Sequence, residues 1–225
     1  MRRESEVAVM AGKTVRADRA SATREAILVT AERLYAEHGV HAVSNRHISD
    51  AAGQGNNTAV GYHFGTKTDL VRAIVRKHFE PMERLRGELL AAIVGSREVR
   101  DWVACIVRPC TEHLAELGSP TWYGRFIAQV TTDPALREIM VEESMTSDVL
   151  IRVVEGLNRC LPALPPEVRA ERGDMSTQLL IHLTAARERA LAEGTPTPRA
   201  SWRDAADGLI DAITAMWLAP VTPAH

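Results

Sequence analysis

Residues 56–67 read NNTAVGYHFGTK, and few short stretches carry this much hydrogen-bonding chemistry beside apolar anchors. The carboxamides of Asn56 and Asn57, with Gln54 just upstream, each pair a donor with an acceptor, the pattern that matches an adenine edge. The methyl of Thr58 suits the methyl of thymine. The Tyr62 hydroxyl and the His63 imidazole can donate to phosphate oxygens. Thr66 and Lys67 stand at a helix start, where free backbone amides already favour an anion and the ammonium adds a full charge. Ser44, Asn45 and Arg46 open the preceding helix; Ser44 suits a phosphate, and Arg46 can reach a phosphate or a base. Contacts of the first kind hold a duplex in register, and those of the second read it. Gly61 leaves room for a close backbone approach.

Residues of these types need a scaffold that presents them on one face. Ile27, Leu28, Ala31, Leu34 and Tyr35 recur at helical spacing, in a helix capped by Ser21 or Thr23 and ended by Gly39. Ser44 caps a short second helix in which Ile48, Ala51 and Ala52 face inward and Gly53 stops the chain. After a tight polar turn, a third helix starts at Asn56 or Asn57 and ends near Gly65, with Ala59, Val60 and Phe64 toward the core. Thr66 and Asp69 are spaced as a capping box for a fourth helix. Short helix, turn, short helix, braced on both sides, is the helix-turn-helix arrangement. Residues 1–20 lack an amphipathic stripe and read as a flexible basic arm.

The bulk properties agree with an all-α protein. Ala, Leu, Arg, Glu and Val dominate the 225 residues, and strand-like alternation is scarce. The net charge of −2 hides an asymmetry: residues 1–80 carry a net of +3 and residues 81–225 a net of −5. The basic part contains the candidate contacts, as a polyanion partner requires. Cys105, Cys110 and Cys160 lack framework spacing, which points to a reducing, cytoplasmic compartment and packed thiols. No membrane span or secretory leader is expected. Catalytic triads, phosphate-cradling loops and paired metal ligands are missing, so no enzyme, cofactor or metal is expected; Gly39 separates His38 from His41.

The sequence over about residues 21–72 resembles the N-terminal domain of the TetR family of bacterial transcriptional regulators. The resemblance rests on Thr23-Arg24, Ile27-Leu28, Ala31, Leu34-Tyr35, Gly39, Ser44, Ile48, Ala52-Gly53, His63-Phe64, Lys67 and Leu70. Two departures fall inside the candidate site: one extra residue among Gln54 to Asn56, and Gly61 where many members carry Tyr, with Tyr62 one position nearer the His. The resemblance implies a helix-turn-helix DNA-binding domain over residues 21–80 and an effector-binding and dimerisation domain over 81–225. It implies a homodimeric repressor on a palindromic operator, released by a small molecule. A helical small-molecule carrier or a thiol-based sensor is the alternative.

From Pro81, expected to kink or break the fourth helix, the chain reads as a helical bundle. A pocket in it would be lined by Trp102, Cys105, Ile106, Trp122, Tyr123 and Phe126. Met140, Met145, Val153, Leu157 and Leu179 would complete the wall. Arg108, His113, Tyr123 and Arg125 would offer polar anchors, so the effector should be bulky and mostly apolar. The resemblance makes the last two helices a dimer interface, through Leu179, His182, Leu183 and Trp202 and through Leu209, Ile213, Met216 and Trp217. Two reading heads are also what successive major grooves demand.

Overall fold

The computed structural model describes the backbone of residues 2–56 and 58–222 and the side chains of residues 18–56 and 58–222. Ten helices and no strand occur among the described residues, so the architecture is all-α. The chain divides into two compact units, Met1–Ile74 and Val75–His225.

The N-terminal unit contains α1 (Arg2–His38), α2 (Asn45–Ala51), α3 (Ala59–Phe64) and the start of α4 (Lys67–Ala92). Ile27, Leu28, Ala31, Leu34 and Tyr35 bury the inner stripe of α1. Residues 2–20, expected to be an arm, belong to α1, which therefore does not begin at Ser21 or Thr23. The stretch holds no proline and is rich in Ala and Arg. Such a run favours a helix on propensity alone, which a missing apolar stripe does not exclude. Gly39, at φ +84°, ends α1, its amide donating to the Tyr35 carbonyl at 2.9 Å.

The Ser44 side chain caps α2 by accepting from the His47 amide at 3.1 Å. Ile48 and Ser49 turn inward, but Ala51, expected to do so, is exposed. Gly53, at φ +68°, supplies the left-handed residue that reverses the chain. The third helix starts at Ala59, later than expected, and buries Ala59, Val60 and Phe64. The Arg24 guanidinium lies 4.7 Å from the centre of the Phe64 ring. Helix α2 packs against both α1 and α3.

The C-terminal unit adds α5 (Val99–Leu117), α6 (Tyr123–Thr132), α7 (Pro134–Met145), α8 (Asp148–Cys160), α9 (Pro166–Glu193) and α10 (Trp202–Leu218) to the rest of α4. Pro81 lies within α4 without ending it. A proline removes one backbone bond, and the rest of this helix remains. Helix α9 starts at Pro166. Proline is well tolerated at a first helical position, because the amide it lacks would be unpaired there. Helix α5 packs on α10 and α8, while α6 packs on α9 and α7. Trp102, Val103, Val153, Leu157, Leu209, Ile213 and Trp217 belong to one buried apolar cluster.

Candidate nucleic-acid interface and ligand cavity

Burial of Val60 and Phe64 fixes the roll of α3 and sends Tyr62 outward, where it is 84% exposed. The His63 ring meets Tyr62 edge-on, with centroids 5.1 Å apart. In the turn, the Asn56 Oδ1 accepts from the Thr58 amide at 2.9 Å and from the Thr58 hydroxyl at 2.7 Å. Asn56 therefore shapes the entry to α3, and Thr58 stands exposed beside it. Gln54 is half-buried and donates to the Ala52 carbonyl at 3.1 Å. Asn57 lies outside the described residues.

On α2, Arg46 is exposed, with Asp50 one turn on at 3.8 Å. Asn45 is half-buried, with its Oδ1 out of solvent and unpaired, so it is placed less well for an outside contact than expected. At the head of α4 the anticipated capping box is present. The Asp69 carboxylate accepts from the Thr66 amide and hydroxyl, and those bonds hold its pKa below the usual carboxylate range. Lys67 is the main correction here. Its ammonium donates to the carbonyls of Val40 and Val43, at 3.0 and 2.7 Å, and so ties α4 to the turn between α1 and α2. Two of its three donors serve the fold.

The C-terminal unit encloses a cavity of about 790 Å³. Of the pocket residues named from sequence, Ile106, Tyr123, Met140 and Leu157 line it. Trp102, Cys105, Phe126 and Val153 instead fill the core. Trp122 is half-buried at the head of α6 and takes no part in the wall. Met145 is 68% exposed, and Leu179 lies on an outer apolar surface. An apolar pattern marks residues that leave water without saying whether they meet a void or one another.

Three expected polar anchors are occupied elsewhere. Arg108 pairs with Asp207 at 2.7 Å. Arg125 pairs with Glu188 at 3.1 Å. His113 meets His78 at 2.8 Å, ring nitrogen to ring nitrogen. Burial and the neighbouring imidazole push the His113 pKa down to about 4. The polar residues that do reach the cavity include Arg86 and Arg169, neither anticipated. A signal for Arg86 existed: it interrupts a stripe of Met82 and Leu90, each four residues away and buried. Burial raises both Cys105 and Cys110 to about 11. Among the described residues no group of three or more His, Cys, Asp or Glu is placed to hold a metal.

The residues expected at a dimer interface divide into two sets. Leu209, Ile213 and Trp217 pack inside the chain, because the inner face of α10 is needed by α5. Trp202 carries the Arg187 guanidinium on its ring at 5.1 Å. Leu179, His182, Leu183 and Met216, joined by Met175, form an outer patch on α9 and α10. No helix among the described residues is long and apolar enough to cross a membrane.

Comparison with known proteins agrees with this architecture. The family described as bacterial regulatory proteins, tetR family, matches residues 27–74. The tetracyclin repressor-like C-terminal domain matches residues 104–216. The HTH-type transcriptional repressor AcnR of Corynebacterium glutamicum is 24% identical over 141 residues, 60% of this chain; the match spans 65% of that relative's length. Among solved structures, NalD of Pseudomonas aeruginosa, the secondary repressor of the MexAB-OprM multidrug efflux pump, aligns with a TM-score of 0.57. It is 22% identical, with 89% of this chain and 98% of that one covered. The TetR family regulator PfmR of Thermus thermophilus aligns at 0.53 with 16% identity, covering 84% and 96%. With matches to both the DNA-binding and the C-terminal domain, the chain belongs to the TetR family of bacterial regulatory proteins.

Proposed function

We infer that the protein is a DNA-binding transcriptional repressor and not an enzyme. One observation carries the reading: α3 buries Val60 and Phe64 and presents Tyr62, within a capped helix-turn-helix of a TetR-type domain. Tyr62, Thr58 and Arg46 are the side chains best presented to a duplex, with Thr66 and the free donor of Lys67 beside phosphates. Gln54, Asn56 and Asn57 remain the candidate base readers. The relative AcnR is named a repressor, which favours repression over activation here.

The active form is a homodimer in the cytoplasm, bound to a palindromic operator. The apolar patch of Met175, Leu179, Leu183 and Met216 supports this, since it is a surface that a second copy can cover. The effector occupies the cavity of the C-terminal unit. Helix α4 supports coupling, because it carries both Lys67 and three cavity residues, Phe79, Met82 and Arg86. An effector that prefers one setting of α4 shifts the population of DNA-competent dimers. The thiol-sensor alternative is disfavoured at Cys105 and Cys110, because thiols raised to about 11 hold almost no thiolate at neutral pH.

A gel shift on the DNA upstream of the protein's own gene, run at two salt concentrations, tests the reading. Retardation that weakens steeply with salt is expected; a carrier without DNA binding gives none.

A further inference from the structure

We propose that the cavity of the C-terminal unit takes an anionic amphiphile, a carboxylate on an apolar body, with the acid group seated on Arg86. The proposal rests on the cavity being the effector site and narrows that reading to a chemical class.

Arg86 lines the cavity and is only 6% exposed. Its Nε and Nη1 are buried within the wall and have no hydrogen-bond partner. The Glu83 Oε1 lies 3.2 Å from Nη1, in a geometry that makes no hydrogen bond, and is itself unpartnered. The other Glu83 oxygen accepts from the Ser147 hydroxyl. Glu83 is not among the lining residues, so it meets Nη1 from outside the cavity. A guanidinium keeps its proton in a protein, and buried donors left unmade are costly. Desolvation pulls the Arg86 pKa down, and the Glu83 carboxylate opposes that pull.

The rest of the wall gives the ligand its other properties. Arg169 adds a second guanidinium, which donates to the Asn158 side-chain Oδ1 at 2.7 Å, and among the described residues no Asp or Glu lines the cavity. A cationic ligand would meet two like charges. Ile106, Ile127, Met140, Leu157 and Trp217 supply apolar wall that favours a hydrocarbon or aromatic body. A carboxylate is the ligand group that a guanidinium favours, through charge-assisted hydrogen bonds.

The test is calorimetric titration of the full chain with submicellar dodecanoate and with dodecanol, the uncharged counterpart of equal chain length. Dodecanoate should bind about tenfold tighter or more, the usual worth of hydrogen bonds to a charged group. In the double variant Glu83→Gln/Arg86→Met, which leaves no lone buried carboxylate, the preference should vanish while dodecanol still binds. Equal affinities in the unaltered protein would overturn the proposal yet leave the cavity a ligand site. A preference that survives in the double variant would remove Arg86 as the seat. Binding of neither probe would overturn the effector-cavity reading and this proposal together. The comparison in the unaltered protein decides the matter even if the variant does not fold.

Discussion

Glu188, on α9, holds the first turn of α6 through Arg125. One carboxylate oxygen accepts from the Gly124 amide, and the other accepts from the amide and the Nε of Arg125, at 2.9, 2.9 and 3.1 Å. Glu188 is 1% exposed, so two helix-end amides and the Arg125 Nε share this buried partner, while the Arg125 Nη2 donates to the Thr121 carbonyl at 2.8 Å. Removing it by Glu188→Ala should cost about 3–5 kcal/mol, the range for breaking a buried pair. Urea denaturation followed by circular dichroism measures it, and a loss below about 1 kcal/mol, typical of an exposed pair, would refute the role.

Gly156 on α8 is required for a different reason. A Cβ there would collide with the ring of Trp102, which is buried and fixed by an Nε1 bond to the Ser96 carbonyl at 3.2 Å. Gly156→Ala should therefore destabilise by about 1–3 kcal/mol through overpacking. Gly87 in α4 has nothing within 4 Å of such a Cβ, and Gly87→Ala should stabilise by about 0.5–1 kcal/mol. Opposite signs in thermal melts are the expected outcome.

His113 makes stability depend on pH. Its folded pKa of about 4 lies below the unfolded value near 6.5, so the unfolded chain binds the proton first. The contribution is present in full above pH 6.5 and is lost as pH falls toward 4, by up to about 3 kcal/mol. His113→Gln should flatten stability over that window relative to the unaltered chain. Parallel curves for the two proteins would refute the assignment.

Tyr62 and Lys67 should part company in mutation. Tyr62→Ala removes an exposed side chain and should weaken DNA binding to all sequences while the melting temperature holds. Lys67→Met deprives two carbonyls of their donor and should also lose about 1–3 kcal/mol of stability. Equal melting temperatures for the two variants would contradict the structural role of Lys67.

Local signals carried most of the N-terminal unit. The Ser44 cap, the Thr66–Asp69 box and the glycines at 39, 53 and 65 each act within a few residues, so the sequence displays them. Residues 2–20 misled because a helix needs only propensity, whereas its stripe reports packing. The cavity was harder to read, since Met140 lines a void and Phe126 fills the core with equally apolar side chains. Leu209 and Ile213 likewise have the spacing of a dimer seam, yet α5 within the same chain already covers them. Arg86 was visible only as a charge in an apolar stripe, and its meaning depends on helices far along the chain.

Selecting bound fragments from random DNA, then following their affinity against salt, tests the central claim most directly. The account predicts enriched inverted repeats with half-sites about 34 Å apart, or a multiple of that, and affinity that falls steeply with salt. Recovery of no symmetric sequence, with retention indifferent to salt, would contradict it.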